Sequence, residues 1–178
     1  GTSLAAGGRT GCTYTITQTD PGTYPNTANV TVTDNEGNTA SGTDSDSVTV
    51  TDALPMVTLS KTVLPAALPE PGGVFTYTLS ITNMSTETVT ITTLTDDNPL
   101  SASCNALLGT NLAALATTSC TYTVTQTEAS SYPNNASVTV EDNEGNPASS
   151  NSSASVSVTD TAPSVMLDKS VTPAVLPM

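Results

Sequence analysis

Sixteen carboxylates face three basic side chains in this 178-residue chain, which also carries three cysteines and no histidine. Histidine is the commonest metal-ligating imidazole and the commonest general base, so its absence weighs against zinc chemistry and proton-transfer catalysis. An enzyme also needs a nucleophile and a pocket. No Ser–Lys–acid cluster recurs along the chain, and the sequence reads as that of a protein that is not an enzyme. The acids gather in short polar stretches: Asp34 with Glu36, Asp142 with Glu144, and Asp96 with Asp97. Calcium takes six to eight oxygens from carboxylates and loop carbonyls. These six residues are therefore the candidate calcium ligands, and no other cofactor is implied. The ordinary alternative is a set of solvated acidic turns, because no D-x-D-x-D-G loop is present.

Cys104 and Cys120 stand 16 positions apart. A disulfide between them is the expectation. Closing such a loop contributes about 3 kcal/mol in the chain-entropy model, and it implies an oxidising compartment. Two buried free thiols are the competing reading. Four N-x-Ser/Thr sequons begin at Asn29, Asn83, Asn135 and Asn151 and are the candidate glycosylation sites. In a chain this rich in Ser and Thr, such triplets also arise by chance. The net charge of −13 excludes nucleic acid as a natural partner, since phosphate binding rests on Lys and Arg.

The elements that must position these residues are written twice. "TVTDNEGNTAS" at Thr31–Ser41 returns as "TVEDNEGNPAS" at Thr139–Ser149, 108 positions later. The same offset carries Cys12 to Cys120, Tyr14 to Tyr122, Tyr24-Pro25-Asn26 to Tyr132-Pro133-Asn134, Lys61 to Lys169, and Leu68-Pro69 to Leu176-Pro177. A fixed period of this length matches one β-sandwich domain of roughly 100 residues, and not a solenoid turn. Residues 1–53 read as the C-terminal part of a repeat, 54–161 as a complete repeat, and 162–178 as the start of the next.

Within the complete repeat the apolar period is two. Phe75, Tyr77, Leu79 and Ile81 alternate with Thr and Ser through "VFTYTLSIT" (Val74–Thr82), the pattern of a half-buried strand. Val57, Leu59 and Lys61 open the repeat in the same way. Further strands are expected at Val89–Leu94, Cys120–Gln126, Ser137–Glu141 and Ala154–Asp160. Pro65, Pro69 and Pro71 break regular pairing as on an edge segment. Asn143, Glu144 and Gly145 supply turn chemistry between the last two strands. Asn105–Ala116 has room for one short turn, but it carries a glycine and no cap, so no real helix is expected there. The fold class is all-β, as tandem immunoglobulin-like sandwiches.

The stretch "VTLSKTVLPAALPEPGGVFTYTLSITNMSTETVTITTLTDD" (Val57–Asp97), with its P-E-P-G-G-x-F-x-Y core at Pro69–Tyr77 and the later D-N-E-G-N turn, resembles the tandem repeats of bacterial and archaeal surface proteins grouped as domain of unknown function 11. The resemblance covers essentially the whole chain. It implies immunoglobulin-like sandwiches in secreted or cell-surface proteins, and it assigns no activity. Some surface immunoglobulin-like domains join a first-strand lysine to a last-strand Asp or Asn through an amide. Lys61 and Asp160 are the candidate pair here, against an ordinary ion pair or a solvated edge lysine. The function expected is a stalk or filament outside the cell, with an adhesin module binding glycan or a protein partner as the alternative. The expected partners are neighbouring repeats of the same chain and further copies in a fibre, with no nucleic acid and no membrane span in this segment.

Overall fold

The computed structural model describes residues 2–172. The chain divides after Ala53 into two units. In the first unit, β1 (Gly22–Thr33) and β2 (Thr39–Val50) pair antiparallel from Gly22 with Val50 to Thr33 with Thr39. Tyr14, Ile16, Val30, Val32 and Val48 of this unit are each more than half exposed.

The second unit holds β3 (Val57–Leu64), β4 (Ala67–Pro69), β5 (Gly73–Asn83), β6 (Val89–Asp96), α1 (Ala102–Asn105), β7 (Asn111–Leu112), β8 (Thr117–Gln126), β9 (Ser130–Glu141) and β10 (Pro147–Thr159). One sheet runs β3-β5-β8, and the other runs β4-β10-β9-β6-β7. The alternating residues Val57, Leu59, Phe75, Tyr77, Leu79, Ile81 and Tyr122 of the first sheet are buried. They form one cluster with Val89, Ile91, Leu94, Ala136, Val138, Val140, Val156 and Val158 of the second. Two sheets burying their inner faces against each other, with the opening segment split between them, make an immunoglobulin-like sandwich. Tyr132, near the start of β9, donates its hydroxyl to the Glu128 carbonyl at 2.8 Å. This is the tyrosine corner found in such sandwiches. Tyr24 repeats it on Asp20 in the first unit at 2.6 Å.

Three details depart from the sequence expectation. β9 and β10 begin at Ser130 and Pro147, well before Ser137 and Ala154. Their early halves are mostly Ser, Asn, Pro and Ala and carry little apolar signal. A bulge between Ile91 and Thr93 of β6 turns both Ile91 and Leu94 to the core, although three positions separate them. A one-turn helix, α1, ends at Asn105, the first residue of the Asn105–Ala116 stretch, and is capped by Ser101, whose hydroxyl accepts from Cys104 N–H.

Among the first strands the chain direction matters most. β4 pairs parallel with β10, from Ala67 with Ser157 to Pro69 with Thr159. Upstream, the Leu59 and Lys61 N–H groups donate to the hydroxyls of Ser150 and Ser152, both at 3.0 Å. Serine side chains of β10 thus satisfy the edge of β3 where no strand backbone does.

Gly72 closes the turn between β4 and β5 at φ +73°, and a Cβ there would stand 2.0 Å from the Gln126 carbonyl oxygen. Gly109 has a similar φ of +75° with nothing within 4 Å of its missing Cβ. Gly109→Ala is expected to cost about 1–2 kcal/mol, the left-handed backbone penalty alone. Gly72→Ala should cost clearly more, because the turn must also move away from β8. Chemical denaturation of both variants checks the order, and equal losses would refute the close approach.

Candidate functional site, a buried lysine and carboxylate

Lys61 occupies an inward position of β3 directly across from Leu79 of β5. The alternation that buries Val57 and Leu59 therefore buries Lys61 as well. Its Nζ lies 2.5 Å from Asp96 Oδ2, and both side chains are fully removed from solvent. Asp96 ends β6 opposite Ala136 of β9. Its Oδ2 also accepts the Tyr122 hydroxyl at 2.7 Å, and its Oδ1 accepts the Asn98 N–H at 2.9 Å. Asn134 of β9 donates from Nδ2 to the Tyr122 oxygen at 2.8 Å. The rings of Tyr77 and Tyr122 stack at 5.2 Å between centroids, 8° from parallel. The lysine nitrogen sits 5.2 and 5.7 Å from those two centroids, within cation–π range.

The electrostatics follow from this burial. Desolvation pulls the Lys61 ammonium below its ordinary pKa, against the hydrogen bond and charge of Asp96. Desolvation likewise pushes the Tyr122 and Tyr77 hydroxyls up, with the Asp96 charge adding to the rise. Tyr122 is thereby held as a neutral donor to Asp96. The Asn134 Oδ1 is buried with no hydrogen-bond partner.

Asp160, the sequence candidate for joining Lys61, is not its neighbour. Ser152 is the β10 residue beside Lys61, and Asp160 is exposed one residue past the strand. Eight residues of strand put it roughly 26 Å further along. The reading of Lys61 as a solvated edge lysine also fails, because the side chain lies in the core.

The acidic pairs also hold hydrogen bonds within the fold. Asp96 is committed to Lys61, Tyr122 and Asn98, while Asp97, one residue past β6, is exposed. Asp97 Oδ2 accepts both the N–H and the Nδ2 of Asn135 at 2.8 Å. In the turn between β9 and β10, the Asp142 carboxylate accepts Glu144 N–H at 3.1 Å, Asn146 N–H at 2.8 Å and Asn146 Nδ2 at 3.0 Å. Asp34 repeats this set on Glu36 and Asn38 at 3.0, 2.8 and 3.0 Å. The repeated D-N-E-G-N phrase is thus a turn tied to its leading aspartate, with Gly37 and Gly145 at positive φ. The sequence reading named Asn143, Glu144 and Gly145 and missed the residues that hold the turn, Asp142 and Asn146.

Cys104 of α1 and Cys120 of β8 form a disulfide, with an S–S distance of 2.07 Å. Cys12 is a free, exposed thiol. Asn29, Asn135 and Asn151 are exposed. Asn83 is not: its side chain is buried, donating to the Glu87, Leu112 and Ala113 carbonyls at 2.7–3.1 Å and accepting the Ser85 N–H at 2.9 Å. It organises the turn after β5, and the folded unit leaves no room for a glycan on it. Among the described residues, no helix is long and apolar enough to cross a membrane.

No family model matches the chain, and no curated protein does. Among solved structures, it is similar to the CARDB domain of a Pyrococcus furiosus protein. The crystal structure of that domain, in complex with di-metal ions, is 20% identical with a TM-score of 0.40, covering 63% of this chain and 100% of that one. The solution structure of the same domain is 18% identical with a TM-score of 0.40, covering 60% and 96%.

Two outcomes follow from the site. Lys61→Met leaves Asp96 buried without its cation and should destabilise the unit by about 3–5 kcal/mol, whereas Lys61→Met with Asp96→Leu should recover most of that loss. A double variant as unstable as the single one would show that the pair's partners, and not the stranded charge, carry the cost. The second outcome concerns pH. The Asn135 backbone and side-chain hydrogen bonds hold the Asp97 carboxyl below its usual value. Burial pushes Asp142 up, but the hydrogen bonds from Asn146 and Glu144 outweigh it and the net shift is downward. Carboxyls lowered in the fold add stability that is complete above the unfolded value near pH 4 and is lost as pH falls through the folded values. Denaturation midpoints should therefore drop below about pH 4, and Asp97→Asn with Asp142→Asn should flatten that drop.

Proposed function

We propose that the chain is a length of a tandem array of immunoglobulin-like modules that bears load outside the cell, as a stalk or filament. The observation that carries this reading is the pairing of the unit's opening and closing strands. β3 and β4 run alongside β10 in the same direction, joined by the Ser150 and Ser152 hydroxyls and then by backbone bonds. Among the latter are Ser157 N–H to Ala66 O at 3.1 Å and Glu70 N–H to Thr159 O at 2.9 Å. Tension applied through the two ends of such a unit loads these bonds in shear, so that several must break together.

The internal repetition supports the array. Tyr14, Val30, Val32 and Val48, exposed in the first unit, match Tyr122, Val138, Val140 and Val156, all buried in the second. In this reading residues 1–53 are the second half of a repeat whose apolar face takes the strands that a first half supplies. Residues 162–178 open another repeat, of which 173–178 lie outside the described residues. A disulfide formed in an oxidising compartment agrees with a place outside the cell. Neighbouring repeats, and copies of the chain in a fibre, are the partners this function requires.

Single-molecule pulling tests the reading. Held at Leu54 and Asp160, the unit is loaded in shear. Held at Leu54 and Gly145, β10 is peeled from β3 one bond at a time. The first geometry should rupture at the higher force, and equal or reversed forces would remove the mechanical argument. Reduction of the disulfide should lengthen the unfolded unit by roughly 50 Å, the extended reach of the freed loop less the 5.1 Å Cα separation of Cys104 and Cys120.

A further inference from the structure

We propose that Lys61 and Asp96 condense to an intramolecular amide that covalently ties β3 in one sheet to β6 in the other. Three features of the pair point to this. The amine nitrogen and the carboxyl already touch at 2.5 Å in a place with no solvent exposure. Each carboxyl oxygen has its own donor, Asn98 N–H on Oδ1 and the Tyr122 hydroxyl on Oδ2. The Tyr122 oxygen is itself held by Asn134 Nδ2, which fixes the direction of its proton.

The reaction needs no outside reagent. A proton passes from the ammonium to Oδ2, giving a neutral amine and a neutral acid. Burial lowers the cost of this step, since desolvation disfavours the charged amine. The nitrogen lone pair then attacks Cγ. Negative charge develops on Oδ1, where the Asn98 N–H stands as a preorganised donor. The former Oδ2 hydroxyl departs as water. Its second proton comes from Tyr122, which takes one back from the new N–H and ends unchanged. One C–N bond forms, one C–O bond breaks, one water is released and nothing is oxidised or reduced. The two reacting side chains have no solvent exposure, which disfavours the reverse hydrolysis. Holding the two groups together replaces the encounter that would make such a condensation slow in solution.

The chain's few basic residues make the test direct. Trypsin has only Arg9, Lys61 and Lys169 to cut after. The proposal predicts that the folded, then denatured and reduced, chain weighs one water less than its sequence mass. It further predicts that trypsin leaves residues 10–169 as one piece, because an amidated lysine is not a cleavage site. Lys61→Arg, which keeps the charge but has no condensing amine, should show full mass and a cut after residue 61. Full mass with ready cleavage after Lys61 in the native sequence would overturn the proposal. So would loss of water with that cleavage intact, which places the dehydration elsewhere. These outcomes do not depend on whether the unit bears load.

Discussion

An ammonium and a carboxylate taken out of water cost several kcal/mol each unless geometry and further hydrogen bonds compensate. The second unit meets that demand by drawing partners from four strands and both sheets. Lys61 comes from β3, Asp96 from β6, Tyr122 from β8 and Asn134 from β9. A slip of one residue in any of these strands would send its side chain to the opposite face. If β3 slipped, the lysine would reach solvent and the carboxylate would stay behind in the core. The buried polar cluster therefore reinforces the strand registers that the alternating apolar faces already select.

That role matters because the apolar core is thin. The chain has no Trp and one Phe, and most of the packing falls to Val, Leu and Ile. A unit of this size buries a modest share of its surface, and covalent or polar fasteners take up what the core cannot supply. Each fastener sits where a connection would otherwise fray. The disulfide holds α1 to β8, the Tyr132 hydroxyl holds the corner before β9, and the Asn83 amide draws together the turn after β5 and the segment after β7.

Much of the sandwich was legible in the alternation of Phe75, Tyr77, Leu79 and Ile81, because period two survives any tertiary detail. The lengths of β9 and β10 were not, since their early halves face Ser and Asn inward and outward alike. The site was half legible. Lys61 follows Val57 and Leu59 on an inward register, so the sequence already placed a cation in the core and demanded an acid nearby. Carrying the alternation two residues past Leu94 would have pointed to Asp96. What hid it was the β6 bulge, which breaks the simple count from Val89. The choice of Asp160 followed chain order, and chain order says nothing about which residue of β10 lies level with Lys61.

The two repeats are nearly interchangeable in their hairpin, but not in the side chains that seal β3. Ser150 and Ser152 accept the Leu59 and Lys61 N–H groups, whereas Gly42 and Asp44 occupy the matching positions 108 residues earlier. Glycine offers no side-chain acceptor, so a strand laid against that position must leave its N–H to water or to another group. A carboxylate at the second position accepts more strongly than a hydroxyl and carries a negative charge that a serine does not. The second unit thus seals the edge of β3 with two neutral hydroxyls, whereas Asp44 in the first unit accepts the N–H of its neighbour Ser45. Identity in the D-N-E-G-N turn therefore does not guarantee equal strength at the strand on which shear would act.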